Sequence, residues 1–250
     1  MKKVQVNIKK NLEYKDMVIK DFVCIKMNKD KYLYMYGPVY FPLSLDFNEI
    51  KIFNWYVWKS GDKEISGEEF LDIYGEDNGV NCDSVLIHGD IRSKDFMVRI
   101  HSGCITGDVF RSAKCDCGFQ LNAALNQIVA NGAGMIIYVS LQEGRGIGLY
   151  AKAICNKLQE QGMDTYIANN CLGFDDDKRN FDEAVTIIKY FRKDEPIVLM
   201  TNNPYKINWL LKNKIEISRI QNIVTKINVE NKSYLLAKKL RGENVWKIEY

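Results

Sequence analysis

The sequence predicts an α/β protein built on a mixed sheet flanked by helices, with a β-rich region at its amino-terminal end. From residue 96 onward, strand and helix signals alternate, which is typical of α/β sheets. Before that point, residues 32–36 and 50–58 alternate apolar with polar side chains, as half-buried strands do. Gly37-Pro38 and Ser60-Gly61-Asp62 are predicted turns. We therefore divide the chain into a β-rich region of unassigned role, 1–95, and an α/β domain, 96–250.

The elements of the second region follow from apolar periodicity and from glycine and proline signals. Leu121, Ala124, Leu125, Ile128 and Val129 recur at helical spacing, and Gly132 and Gly134 end that helix. Pro204 is expected in the first turn of a helix, where its missing N–H costs no hydrogen bond. The predicted strands are 96–101, 135–140 and 197–201, and the further predicted helices are 149–161, 181–191 and 204–211.

Composition and charge limit the classes of partner. Of 250 residues, 46% are hydrophobic and 27% charged, which are ordinary globular values. The balance of 35 basic against 32 acidic residues argues against a protein held to nucleic acid by bulk charge, since such domains usually have a pI above ~9. A local anion-binding pocket is still possible, whereas a structural module that contacts nucleic acid is the least favoured function.

No membrane partner is expected, and the cytoplasm is the expected compartment. The longest apolar stretch lies within residues 135–141, far short of the ~20 residues of a membrane span. Met1-Lys2-Lys3 has no apolar segment behind it that would make a signal peptide. The odd number of cysteines, seven, fits a reducing compartment. Four of them are expected to be small buried hydrophobes, namely Cys24, Cys82, Cys155 and Cys171.

The other three cysteines have a spacing that favours a metal site. Cys104, Cys115 and Cys117 form a C-x10-C-x-C pattern, in which a tight turn could direct two sulfurs to the ion that Cys104 also reaches. Zinc favours such thiolate ligands in tetrahedral geometry. His101 could complete a closed structural shell; otherwise the fourth position is open to water, as in catalytic zinc sites. Three unrelated thiols are the remaining alternative.

Two strand-to-helix junctions and one charged loop are weaker candidates. Residues 142–148, QEGRGIG, could bring backbone N–H groups to a phosphate, although an ordinary connection has the same appearance. Residues 201–204 with Lys206 could seat an anion or simply cap a helix. Residues 175–179, DDDKR, would by composition alone be a solvated loop.

In this order, the segments resemble the GTP cyclohydrolase II family of riboflavin biosynthesis. The resemblance covers somewhat over half the chain and rests on RIHSGCITGD, KCDCGFQL, QEGRGIGL, LQEQGMDTYIAN, LGFDDDKRNF, TNNPYK and YLLAKK. It implies one zinc on Cys104, Cys115 and Cys117 with water as fourth ligand, Mg²⁺ accompanying a purine nucleoside triphosphate, in the first place GTP, and a homodimer.

The resemblance also implies roles for individual residues. Asp177 resembles the family's proton acceptor, and Arg179 resembles the residue proposed to attack the α-phosphate. We favour Arg179 as a phosphate contact, because a guanidinium is normally always protonated. The residues implied around the nucleotide are Arg99, Ile100, His101, Ser102, Gly103, Gln120, Glu143, Gly144, Arg145, Thr165, Thr201 and Lys206.

The chain departs from the family pattern at four positions. Gly103 replaces a glutamate, Ile154 an arginine, Asn156 a catalytic tyrosine, and Ile167 a carboxylate. An amide cannot supply or accept a proton near neutral pH as a positioned acid or base can. Two hypotheses follow: a zinc-dependent hydrolase that opens the imidazole ring at C8, releases pyrophosphate and accumulates a formamidopyrimidine nucleotide, or a catalytically silent nucleotide-binding homologue.

Overall fold

The computed structural model describes residues 12–45, 49–73, 83–140, 142–175, 177–223, 227–240 and 242. Its strands are β1 Phe22–Asn28, β2 Lys31–Leu45, β3 Glu49–Gly61, β4 Asp83–His88, β5 Met97–Ser102, β6 Gly134–Val139, β7 Ile197–Met200 and β8 Ile217–Gln221. Its helices are α1 Leu12–Lys20, α2 Gly67–Ile73, α3 Ile105–Asp108, α4 Cys117–Asn131, α5 Glu143–Gly146, α6 Leu149–Gln159, α7 Thr165–Cys171, α8 Asp182–Arg192, α9 Pro204–Lys212 and α10 Lys232–Leu240.

The strands form one mixed eight-stranded sheet in the order β1-β2-β3-β4-β6-β5-β7-β8. The first four strands and the pair β4–β6 are antiparallel, whereas β6, β5, β7 and β8 are mutually parallel. The predicted α/β class is therefore confirmed. Four of the eight strands lie within residues 1–95, and the division at residue 95 stays a prediction.

The two faces of the sheet carry separate hydrophobic cores, because alternate strand residues point to opposite faces. Along β6, Met135, Ile137 and Val139 join the core that includes residues of α8, whereas Ile136 joins the core beneath α4. Along β5, Val98 and Ile100 likewise face the α8 side. Arg99 and His101 consequently share the α4 side at the carboxyl end of β5, where the site forms.

Local signals placed most of the predicted elements within one or two residues. Gly132 ends α4 in a left-handed conformation with φ 84°, and Pro204 occupies the first turn of α9. The predicted turn at Gly37-Pro38 is wrong. Strand β2 runs through both residues, and its pairing with β3 shifts register between Tyr36 and Val39, so the glycine and proline mark a bulge.

The four cysteines assigned to the interior differ in exposure. Cys155 is buried as predicted, Cys24 is half-buried, and Cys171 is exposed, contrary to the prediction. Cys82 lies outside the described residues. Across the described ranges, no helix combines the length and apolar character required to cross a bilayer.

Candidate metal centre and anion pocket

Three cysteine sulfurs converge where β5 and α4 meet. Cys104 follows β5 directly, whereas Cys115 and Cys117 stand at the start of α4 on either side of its N-cap residue, Asp116. The three sulfurs lie within 4.8 Å of one another, with 3.8 Å between Cys104 Sγ and Cys115 Sγ. Sulfurs bound at ~2.3 Å to one tetrahedral ion lie ~3.8 Å apart, so the cluster fits a single metal ion.

Small and charged neighbours fit closely around the sulfurs. Gly107 faces the cluster, and a Cβ there would lie 2.9 Å from Cys115 Sγ and 3.1 Å from Cys104 Sγ. The Lys152 ammonium lies 3.2 Å from Cys104 Sγ. Hydrogen bonds from the Cys115 and Cys117 thiols lower the pKa of Cys104, and the charge of Lys152 acts in the same direction. Cys104 is thus the sulfur most readily present as thiolate, the form that binds metals.

His101 is occupied by neighbours other than the sulfurs. Its Nε2 lies 3.1 Å from Asp108 Oδ2, and its Nδ1 lies 3.4 Å from Arg99 Nη2. The Asp108 carboxylate also accepts hydrogen bonds from the Tyr138 hydroxyl at 3.0 Å and the Cys104 backbone N–H at 2.9 Å. Among the described residues, the metal-ligand group comprises the three cysteines alone, so His101 braces the Cys104 loop from outside it.

Arg99 forms the floor of the adjoining pocket. Its guanidinium donates to the Met200 carbonyl at 3.2 Å and to Gln120 Oε1 at 2.6 Å, which links β5 to β7 and α4. Burial lowers the pKa of Arg99 to about 10, although Asp116 partly offsets the effect. Nε of Arg99 has no hydrogen-bond partner in the part of the chain that the structure describes. A buried, incompletely satisfied cation of this kind favours an anionic or acceptor-rich ligand.

The glycine-rich loop, residues 142–148, contributes the Arg145 side chain to the pocket, whereas two of its backbone N–H groups bond within the loop. Gly146 and Gly148 donate their N–H groups to the Gln142 and Glu143 carbonyls, so these two amides are used within the loop. Gly144 and Arg145 adopt left-handed conformations, with φ of 60° and 66°. Such a φ is uncommon for arginine and marks positions held by their surroundings. The Arg145 guanidinium lies 4.2 Å from the centre of the Tyr166 ring.

The junction from β7 to α9 combines a helix cap with pocket residues. Asn203 caps α9 by accepting from Tyr205 N–H, and Thr201 Oγ1 accepts from Asn203 N–H at 3.1 Å. Lys206 is buried and donates to the Ile100 carbonyl at 2.8 Å. Burial, together with the positive charges of Arg179 and Arg99, lowers the pKa of Lys206 well below its usual range. A bound anion would relieve that repulsion.

The charged loop after α7 is only partly solvated. Asp175 and Lys178 are exposed, whereas Asp177 and Arg179 are half-buried; Asp176 lies outside the described residues. Arg179 donates through Nε and Nη2 to the two Asp177 oxygens, at 2.8 and 2.5 Å. Burial raises the pKa of Asp177, but the hydrogen bonds and charge of Arg179 outweigh it and lower that pKa overall. Nη1 of Arg179 also donates to Ser102 Oγ at 3.3 Å, so the pair is fixed toward β5.

One pocket brings most of the predicted site residues together, and it is strongly basic. Seven basic side chains and a single acidic one, Asp116, line its described surface. Ile100, Glu143 and Asp177 are not among its lining residues, and the Ile100 side chain lies in the hydrophobic core instead. The predicted residues that line the pocket are Arg99, His101, Ser102, Gly103, Cys104, Cys115, Cys117, Gln120, Gly144, Arg145, Thr165, Arg179, Thr201 and Lys206.

The four positions that depart from the family pattern separate into two groups. Asn156 and Gly103 line the pocket. Ile154 and Ile167 do not line it, and 40% and 49% of their surfaces are exposed. The Asn156 amide makes no hydrogen bond to the described part of the chain, so it is available to a ligand.

The site also includes residues that had not been assigned from the sequence. Lys152 and Asp108 surround Cys104, and Tyr234 and Lys238 of α10 line the far wall of the pocket. Lys238 Nζ lies 3.6 Å from Asp116 Oδ1 and 4.6 Å from the centre of the Tyr234 ring. The YLLAKK segment carried the signal for the last two, but no local pattern indicates that its helix returns to the metal turn.

The cysteine cluster, which could hold a metal ion, adjoins a pocket lined by basic side chains, an arrangement typical of an enzyme site for an anionic substrate. Comparison with known proteins agrees: the GTP cyclohydrolase II family profile matches residues 63–222. GTP cyclohydrolase-2 from Vibrio vulnificus is 46% identical over 159 residues, covering 64% of this chain and 79% of the relative. The Vibrio cholerae enzyme is 41% identical over 192 residues, or 76% of this chain and 96% of the relative.

A longer relative matches over the same region. Riboflavin biosynthesis protein RibBA from Staphylococcus saprophyticus is 44% identical over 171 residues, which cover 68% of this chain but 42% of that protein. The chain therefore belongs to the GTP cyclohydrolase II family, and it is a hydrolase of the GTP cyclohydrolase II type.

Proposed function

We propose that the protein is a zinc-dependent hydrolase that opens the imidazole ring of GTP at C8 and releases pyrophosphate. The observation that carries this proposal is the position of the three sulfurs on the wall of a pocket with seven basic side chains. The two Vibrio relatives named above are GTP cyclohydrolase-2 enzymes, which supports GTP as the nucleotide. We further propose that Mg²⁺ accompanies the triphosphate and that the enzyme is a cytoplasmic homodimer.

The donor set fits zinc because three clustered thiols leave one tetrahedral position for a non-protein ligand. Cys104, Cys115 and Cys117 would hold the ion. When bound there, zinc would lower the pKa of a water molecule toward neutrality and so supply a nucleophile. Replacing Cys115 by Ser is expected to remove the metal and the activity together, as elemental analysis and a formate or pyrophosphate assay would show.

The side chains of the pocket hold and polarise the nucleotide. Lys206, Arg179 and Arg145 offset the charge of the triphosphate, and the Asp177 carboxylate fixes the Arg179 guanidinium in one orientation. Ring opening adds water across the C8–N9 bond: N9 remains on the sugar, and C8 remains on N7 as a formamide. The low pKa of Asp177 keeps it an acceptor near neutral pH, which suits a base but not an acid.

Asn156 determines how far the reaction proceeds. Formate release requires a second hydrolysis, in which the C8–N7 bond breaks and the departing amine takes up a proton. An amide cannot supply that proton, and losing a positioned acid or base typically costs ~10²–10⁴ in rate. We therefore propose that the formamidopyrimidine nucleotide accumulates as a major product.

The test is mass spectrometry of the products from GTP, ATP, ITP and XTP with Mg²⁺, compared between the wild type and Asn156→Tyr. We expect a ring-opened formylated nucleotide and pyrophosphate from GTP, and a shift toward formate in the variant. One formate per GTP from the wild type would contradict the product assignment alone. Tight nucleotide binding by zinc-loaded protein without any turnover, persisting in Asn156→Tyr, would instead identify a silent homologue.

A further inference from the structure

Glu143 and Lys152 form a largely buried ion pair beside Cys104, in which Lys152 lines the pocket and Glu143 does not. The Lys152 ammonium contacts one Glu143 carboxylate oxygen, Oε1, and the two side chains are only 17% and 8% exposed. The resemblance had implied that Glu143 belongs to the nucleotide site, yet it does not line the pocket. Its role must therefore be sought in the contacts that it makes.

Both members of the pair reach the loop that carries Cys104. Lys152 Nζ lies 3.2 Å from Cys104 Sγ and donates to Thr106 Oγ1 at 2.7 Å. The second Glu143 oxygen, Oε2, accepts the backbone N–H of Ile105 at 2.6 Å. The Lys152 ammonium thus contacts the Cys104 sulfur, and the Glu143 carboxylate binds the peptide N–H of the next residue, Ile105.

Charge explains why a cation should stand at this place. Three thiolates and one divalent ion carry a net charge of −1, and a buried charge is costly unless it is paired. Among the described residues, Lys152 is the one whose ammonium lies within hydrogen-bonding distance of a cluster sulfur. Its position on helix α6 places it there. Glu143 in turn compensates Lys152, so the pair is neutral as a unit.

We propose that Glu143 and Lys152 are positioning residues for the metal centre: Lys152 stabilises the metal-bound Cys104 thiolate, and Glu143 holds Lys152 and the Ile105 peptide in place. This inference rests on the proposed metal site and does not depend on the nucleotide or the reaction. Glu143 acts on the substrate only through the geometry of Cys104.

The test is the zinc affinity of the purified protein, measured by competition with a chromophoric chelator. Lys152→Met should bind zinc about 10- to 100-fold more weakly, the usual cost of losing an outer partner of a metal ligand. Glu143→Gln, which keeps an acceptor for Ile105 N–H but loses the charge that holds Lys152, should also weaken zinc binding, by less than Lys152→Met does. The double variant should lose less than Lys152→Met, because it leaves no unpaired carboxylate beside the thiolates.

A second lysine–glutamate pair on the same helix provides the matched control. Lys157 Nζ and Glu160 Oε2 lie 2.8 Å apart with side chains 75% and 46% exposed, and neither makes a sulfur contact among the described residues. Lys157→Met and Glu160→Gln should therefore bind zinc as the wild type does. Should Lys152→Met fail to fold, the double variant replaces it, since it buries no unpaired charge.

The possible outcomes separate this inference from the proposed reaction. Folded Lys152→Met, or the double variant, with wild-type zinc affinity overturns the inference and leaves the reaction unaffected. If the zinc affinities rank as expected but the protein turns over no purine nucleotide, the proposed reaction is overturned and this inference stands. A wild type that binds no zinc overturns both.

Discussion

Replacing Lys238 by Gln should weaken nucleotide binding, because this residue adds a cation to the pocket from a distant part of the chain. Its side chain is 14% exposed and lies on the pocket wall beside Tyr234. Within the described residues, its one acidic partner is Asp116, at 3.6 Å, a distance that leaves the ammonium able to turn toward a ligand. The pocket has six other basic residues but no second acid, so a triphosphate competes well for Lys238.

The size of the effect follows from the chemistry of that contact. A hydrogen bond to a charged group contributes about 1.5–3 kcal/mol. Sharing Lys238 with Asp116 reduces the gain. In the variant, the Asp116 carboxylate still accepts from the Gln120 amide but is no longer offset by Lys238, so it repels the substrate. These opposing corrections leave an expected loss of about 1.4–2.8 kcal/mol, equivalent to a ~10- to 100-fold weaker Kd for GTP.

Titration calorimetry with a non-hydrolysable GTP analogue measures this loss directly. Lys239→Gln is the matched control, since Lys239 neighbours Lys238 on α10 but is exposed. Lys238→Arg should retain most of the affinity, and the effect should shrink at high salt. Zinc content must be equal in all variants, because Asp116 lies between two cysteines of the cluster. Equal Kd values for the wild type, Lys238→Gln and Lys239→Gln would refute the reasoning.

Two further predictions concern the metal loop and the charged loop. Gly107→Ala should lower the zinc content, since its Cβ would lie 2.9 Å from Cys115 Sγ and 3.1 Å from Cys104 Sγ, and elemental analysis of folded protein checks this. For Asp177→Asn, loss of the Arg179 pair should lower Tm near neutral pH. Because the folded pKa of Asp177 is lowered, the pair stabilises the wild type above the ordinary carboxyl pKa, ~3.9, and loses that effect as pH falls further. The Tm difference should therefore shrink below about pH 4, and a constant difference would contradict the assignment.

Local sequence signals were sufficient for most of the fold. Apolar periodicity and a terminal glycine located α4, and Pro204 located the start of α9, because both signals act within one turn of the chain. The Gly37-Pro38 turn was wrong because the same two residues also suit a strand bulge. The partner strand decides between a turn and a bulge, and no local pattern contains it.

In the site, too, local sequence patterns do not predict contacts between residues that are distant along the chain. Cys104, Gln142 and Thr201 each follow one of the parallel strands β5, β6 and β7, whose carboxyl ends meet at one edge of the sheet. That these three residues lie close together could therefore be predicted from the order of the parallel strands. The return of Lys238 to Asp116 was not, since 122 positions separate them and no periodic signal connects α10 to α4.

The four departures from the family pattern lie in different surroundings, and we expect unequal consequences for catalysis. Ile154 and Ile167 are exposed and lie outside the pocket lining, so their loss of charge changes the surface of α6 and α7 more than the chemistry. At Gly103 a Cβ would lie 2.9 Å from the Ser140 carbonyl oxygen, so the backbone around it leaves no room for the glutamate of the family. Asn156 alone among the four both lines the pocket and has a side chain without a hydrogen-bond partner in the described chain. A phenol in its place would meet the same open pocket, which is why the balance between a formylated product and formate should depend on this single position.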